Sequence, residues 1–200
     1  MLVIARHKKQ LYLVSFFYFL VGEFMFEENY VIVDLETTGL SPLKNEIIEI
    51  GAIKVENNKI VDRLDMLVKP ENRVSSFITN LTGITNEMLQ DAIGIEDALK
   101  IFINFASGNT LMAHNANFDM GFLNTNLQKH FNYTLENKCL DTLALSRKYI
   151  KDIKNYKLET LANYFNVNYS GAHRSLKDCE ITFEVYKNIG EIYNKNTSFC

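Results

Sequence analysis

The sequence has no tryptophan, two prolines and three cysteines in 200 residues. The cysteines, Cys139, Cys179 and Cys200, are widely spaced, odd in number and in no Cys-x-x-Cys pair. That excludes a disulfide framework or a zinc knuckle and suits a reducing cytoplasm. A basic excess is also missing, since the net charge is −3. The chain therefore lacks the global positive field that marks many nucleic-acid binders. That absence weighs less if the acidic surplus lies at a metal site, where bound cations reverse the local sign. Low-complexity linkers and internal repeats are absent as well.

No apolar run is long enough to span a membrane comfortably, which takes roughly 20 residues. The nearest is Leu11 to Val21, preceded by Arg6, His7, Lys8 and Lys9. Its charge order resembles a signal peptide, but no small-x-small cleavage site follows. Residues 1–24 are read as an apolar extension that is appended or packed on the domain, with membrane association and secretion as weaker alternatives. No stable membrane partner is expected. Residues 25–200 suit one domain with a sizeable core.

What is present begins with a β-rich run, Tyr30 to Leu35. Glu46 to Val55 and Ile60 to Val68 continue it across short polar turns, which suggests an antiparallel meander. The periodicity then turns helical. Helices are expected over Ser75–Leu81, Asn86–Asp91, Glu96–Phe105, Phe118–Phe131, Thr142–Ile150, Leu158–Phe165 and Ser175–Ile192. Short strands are expected at Thr110–Ala113 and Lys138–Leu140. Strands first, then helices alternating with strands, indicate an α/β layer fold with a mixed central sheet.

Three constellations carry chemistry. In Asp34-Leu35-Glu36, residues two apart on a strand point to one face. Two carboxylates side by side at the end of a core strand are costly unless cations neutralise them, and a hard divalent ion is the natural remedy. A solvated strand end is the plainer alternative, and the pair alone is common. Thr37, Thr38 and Gly39 follow, small enough for the backbone to approach a ligand.

The second constellation is His114-Asn115-Ala116-Asn117-Phe118-Asp119, between a short strand and a helix. Asp119 falls in the first helical turn, where a carboxylate commonly just complements the helix dipole. For His114 a hydrogen-bonded structural role is the ordinary reading. The third is His173-Arg174-Ser175-Leu176-Lys177-Asp178. Asp178 belongs to the start of the last helix, and His173 lies in the loop before it. An imidazole beside a fixed carboxylate suits proton transfer near neutral pH. The bland alternative is a surface His before a helix start capped by Ser175. Together the three supply four carboxylates and a histidine, which is what two-metal phosphodiester hydrolysis needs.

At these residues the chain resembles the DEDDh family, the DnaQ-like branch of the ribonuclease H-like fold. The family includes the proofreading subunit of bacterial DNA polymerase III and the exonuclease domain of PolC-type polymerases. Val33 to Leu40, His114 to Asp119 and His173 to Asp178 match its three motifs. Leu81-Thr82-Gly83-Ile84-Thr85 and Asp141-Thr142-Leu143 match segments between them. The resemblance spans about residues 29–190 and departs at no catalytic position.

The resemblance implies a ribonuclease H-like fold, a mixed sheet flanked by helices. It implies a 3′→5′ exonuclease dependent on two Mg²⁺ or Mn²⁺ ions. Asp34, Glu36 and Asp178 would hold one ion, with Asp34 and Asp119 serving the second. His173 would activate the attacking water. Thr37 and Thr38 would approach the 3′ hydroxyl, Leu81 and Ile84 would wedge against the last bases, and Phe118 would pack near the site. The implied substrate is a single-stranded or frayed 3′ end, DNA favoured, with RNA trimming as the alternative. A replicative polymerase is an implied partner, and stand-alone repair is as compatible. Arg147, Lys148, Lys151, Lys154, Lys157 and Arg174 are candidate phosphate contacts. A catalytically silent binding module is the competing class, and it would require loss of a metal ligand or of His173.

Overall fold

The structure, a computed structural model, describes residues 26–197. The apolar extension, its boundary at residue 25 and Cys200 lie outside the described residues. Five strands form one sheet in the order β3-β2-β1-β4-β5. Strands β1 (Tyr30–Thr37), β2 (Ile47–Glu56) and β3 (Lys59–Leu67) make the expected antiparallel meander. The short β4 (Thr110–Ala113) and β5 (Cys139–Asp141) add in parallel beyond β1. The sheet is mixed, as the run of turn-linked strands followed by strand–helix alternation requires.

Seven helices surround it among the described residues: α1 (Ser76–Thr82), α2 (Asn86–Leu89), α3 (Ile95–Ala106), α4 (Ala116–Phe131), α5 (Thr142–Tyr149), α6 (Leu158–Tyr164) and α7 (Ser175–Thr197). None is long and apolar enough to cross a membrane. The second expected helix is one turn only, Asn86–Leu89, started by Thr85, whose hydroxyl accepts the N–H of Met88. The expected strand at Lys138–Leu140 sits one residue later, and its last residue, Asp141, caps α5 by accepting the N–H of Leu143.

Residue parity in β1 decides which layer each side chain meets. Val31, Val33 and Leu35 pack with Phe102 of α3 and with Phe122 and Leu127 of α4. Tyr30 and Ile32 pack on the other face, with Ile181, Val185 and Ile189 of α7. Helices cover both faces, so residues 30–33 of β1 are fully buried, whereas edge strand β3 is mostly exposed. The same parity carries Asp34 and Glu36 onto the α7 face.

Candidate active site

Asp34 and Glu36 are the only two residues of β1 that are not fully enclosed, in the pattern buried–half–buried–half–buried from Val33 to Thr37. They lie beyond Ile32, the last residue of β1 paired to β4. The strand end therefore opens on the β4 side, and α4 fills the opening. Asp119, in the first turn of α4, is 2% exposed, and its Oδ1 accepts the backbone N–H of Leu35 at 3.1 Å. It reaches β1 between the two carboxylates from the layer opposite α7.

The segment before α7 supplies the rest. His173 is exposed and holds φ at 64°, a left-handed conformation uncommon outside glycine. Its backbone N–H donates to Asp178 Oδ2 at 3.0 Å, which folds the loop onto the helix. The donor atoms of Glu36, His173 and Asp178 all lie within 4.8 Å of one another. Asp178 Oδ1 is buried with no hydrogen-bond partner in the protein. A buried carboxylate with one unpartnered oxygen, grouped with two further potential donors, could hold a hard divalent cation.

Electrostatics tie Asp34 and Asp119 to this group. Burial, then the charges of Asp119, Asp178 and Glu36, raise the Asp34 carboxyl well above the usual carboxylate range. Burial, then Asp178 and Glu49, push Glu36 up to about 8. Burial pushes Asp119 up to about 8, against the pull of its backbone hydrogen bonds. Asp178 is raised by burial to about 6, against the His173 hydrogen bond. All four carboxyls are thus raised above the ordinary carboxylate range, an arrangement whose charge a bound cation would offset.

The remaining motif residues divide. His114 takes the structural role expected of it: Nδ1 meets the Thr142 hydroxyl at 2.9 Å and Nε2 meets the carbonyl of Tyr156 at 3.0 Å. Burial lowers its pKa, and the ring tethers the start of α4 to α5. Asp141 completes the tether by accepting the N–H of Asn115 at 3.0 Å. Thr37 and Thr38 are spent on their own turn. The Thr37 hydroxyl donates to the Gly39 carbonyl, and Thr38 bonds Glu46 through both its N–H and its hydroxyl. Phe118 is half-buried against Phe122, with ring centroids 5.0 Å apart.

Three expectations need correcting. Leu81 is 45% exposed, but Ile84 is fully buried with Ile48, Val74, Ile78 and Leu89, so it has no surface to offer a base. Arg174, a candidate phosphate contact, is already engaged, its Nε donating to Glu49 Oε1 at 2.8 Å. Ser175 does not cap α7; its N–H donates to Glu49 Oε2 at 2.8 Å. Glu49 itself escaped the sequence reading. Its signal was a carboxylate at an inward position of an Ile-rich strand, directly opposite Glu36.

Residues 31–186 match the RNase_T family model, described as an exonuclease. The chain belongs to the exonuclease family. This membership places it among the nucleases, and its fold is the ribonuclease H-like fold of the DnaQ-like exonucleases. It is 49% identical over 165 residues to the PolC-type DNA polymerase III of Caldanaerobacter subterraneus subsp. tengcongensis. That match covers 82% of this chain and 12% of the polymerase, so the chain spans about an eighth of that relative's length. A solved structure of exonuclease X in complex with 5′ overhanging duplex DNA superimposes with TM-score 0.66 and 28% identity, covering 83% of this chain and 92% of that one. Escherichia coli exonuclease I with a dT13 oligonucleotide shares the fold at TM-score 0.74 and 15% identity, over 86% of this chain and 43% of that one.

Proposed function

We propose that this member of the exonuclease family is a metal-dependent 3′→5′ exonuclease. It hydrolyses the terminal phosphodiester of single-stranded or frayed DNA and releases nucleoside 5′-monophosphates. The observation that carries the reading is the convergence of Glu36, His173 and Asp178 within 4.8 Å, with one Asp178 oxygen left unpartnered. Asp34, Glu36 and Asp178 would hold one Mg²⁺ or Mn²⁺ ion, and Asp34 with Asp119 would serve a second. When bound, the ions neutralise the charge that builds on the phosphate and lower the pKa of the attacking water.

The residues of the chain do the rest. His173, exposed on its loop, takes the proton from water as the water oxygen bonds to phosphorus. The phosphorus–O3′ bond breaks with its electron pair left on O3′, which takes a proton from solvent water, and the shortened strand leaves with a 3′ hydroxyl. Asp119 and the Leu35 N–H hold the end of β1 in register beneath the substrate. Leu81, exposed on α1, packs against the terminal base, and apolar packing of that kind tolerates any sequence. Arg147, Lys151, Lys154 and Lys157, all exposed, are the phosphate contacts of this reading.

DNA is the substrate favoured by the PolC-type relatives and by the DNA-bound neighbours. The PolC-type names of the same relatives support work alongside a replicative polymerase, and the cytoplasm is the setting this reading expects. The test is digestion of matched DNA and RNA oligonucleotides, labelled at the 3′ or the 5′ end, with Mg²⁺ or Mn²⁺. Wild type should release 3′-terminal mononucleotides from DNA, and Asp34→Ala should not. Activity that survives chelation, or release from the 5′ end, would refute the reading, and a preference for RNA would reassign the substrate.

A further inference from the structure

Glu49 has no part in the reaction scheme above, yet its side chain is 0% exposed. A buried carboxylate is expensive unless it is paired and its oxygens are satisfied. Here Oε1 accepts from Arg174 Nε at 2.8 Å and also from Arg174 Nη2, and Oε2 accepts the backbone N–H of Ser175 at 2.8 Å. All three donors come from the two residues that directly follow His173. Two residues along the same face of β2, Gly51 leaves room for the helix start, since a Cβ there would lie 2.3 Å from the Leu176 nitrogen. Glu49 is also the antiparallel partner of Glu36. One side chain therefore ties the strand opposite Glu36 to the turn carrying His173 and to the helix carrying Asp178.

We propose that Glu49 is a positioning residue of the cation site. Through Arg174 and the first N–H of α7, it holds Asp178 at the spacing from Glu36 that a shared divalent cation requires, with His173 beside them as the proton acceptor. The proposal rests on the metal-dependent reading above. Cation sites tolerate little error in ligand placement, and partners that orient the ligands commonly set affinity. Arg174 has a second task. Glu36 and Glu49 face each other across neighbouring strands, where like charges repel, and the guanidinium compensates them.

Glu49→Gln keeps the shape and removes the charge. Its amide nitrogen must face either Arg174 or the Ser175 N–H, donor against donor, and the start of α7 has to shift. Arg174→Met removes the other half of the pair at a 39% exposed site and leaves the buried Glu49 carboxylate without its charge partner, so its melt is read alongside that of Glu49→Gln. The full chain and both variants, singly and together, are compared by Mn²⁺ binding to the protein alone, followed by electron paramagnetic resonance. Thermal melts and kcat and KM on single-stranded DNA complete the set.

Each single variant should bind Mn²⁺ about 10–100-fold more weakly at a temperature where circular dichroism shows it folded. The kcat should fall while KM for the strand stays within about twofold. The double variant should lose no more than the worse single one, because the two residues act as one device. Mn²⁺ affinity within about twofold of wild type in folded Arg174→Met and Glu49→Gln overturns the proposal. If Glu49→Gln fails to fold, Arg174→Met decides alone. Wild-type protein that binds no Mn²⁺ overturns the metal reading itself, and that failure is recognised without any variant.

Discussion

Asp119 Oδ1 accepts the backbone N–H of Leu35 at 3.1 Å, joining a helix carboxylate to the residue between Asp34 and Glu36 across 84 positions of chain. The bond exists because β4 pairs with β1 only as far as Ile32. Past that point the N–H of Leu35 has no strand partner on the open side, and a buried N–H without one costs about 1–3 kcal/mol. Asp119 thus accepts a hydrogen bond from the strand, and in the proposed reaction it would also supply negative charge to a bound cation.

Asparagine and alanine at position 119 separate these tasks. Asp119→Asn keeps an oxygen for Leu35 and loses the charge. Asp119→Ala loses both. Nuclease activity should fall strongly in both variants. Thermal melts should show the alanine variant about 1–3 kcal/mol less stable than the asparagine variant. Equal stability would show that the Leu35 bond contributes nothing.

Stability of the cation-free protein should fall as pH rises. Burial lifts Glu36 and Asp119 to about 8 and Asp178 to about 6, while unfolded carboxyls titrate near 4. Between about pH 4 and 8 the folded chain therefore holds more protons than the unfolded one, and rising pH favours unfolding. A divalent cation replaces those protons. Added Mn²⁺ should raise Tm more near pH 8 than near pH 5.5, with protons released on binding. A cation-induced shift that is equal at both values contradicts the carboxylate assignment.

His173→Asn tests the proton acceptor without disturbing the loop. Asparagine tolerates the left-handed φ of 64° that His173 holds, whereas alanine would add strain. The backbone bond to Asp178 is retained. Activity should drop about 10²–10⁴-fold with Tm nearly unchanged, the loss expected when a general base is removed. A variant that keeps wild-type kcat would strip His173 of that role.

Leu81 and Ile84 should behave as opposites. Leu81→Ala, on an exposed site, should change stability by no more than about 0.5 kcal/mol and raise KM for single-stranded DNA. Ile84→Ala opens a cavity beneath α1 and should cost about 2–5 kcal/mol. Its KM, measured well below its melting temperature, should match wild type. Reversed results would mean that α1 moves when a strand binds.

The legible features were those that local pattern controls. The β-rich run Tyr30 to Leu35 put Asp34 and Glu36 at a strand end on one face, because strand geometry alone places residues two apart together. Helical spacing located the helices expected over Phe118–Phe131 and Ser175–Ile192, whose apolar residues Phe122, Leu127, Ile181, Val185 and Ile189 are all buried. Leu81 and Ile84 were beyond such reading, since both are apolar in one short segment and only packing selects the buried one. Glu49 was beyond it too. An acidic residue in a strand reads as solvated until a distant arginine and a helix start are seen to surround it.

The sequence by itself determined the mixed sheet, the strand-end pair Asp34 and Glu36, and the three stretches that carry the acidic residues and His173. These follow from periods of two and 3.6 residues and from side-chain chemistry, which are properties of neighbours along the chain. Only the tertiary structure decided that Asp119 arrives from one layer and Asp178 from the other. It also decided that His114 is a tether between two helix starts and that Glu49 and Arg174 anchor the start of α7. Those outcomes depend on which backbone groups the sheet leaves unpaired and which side chains burial brings together, and no local pattern encodes either.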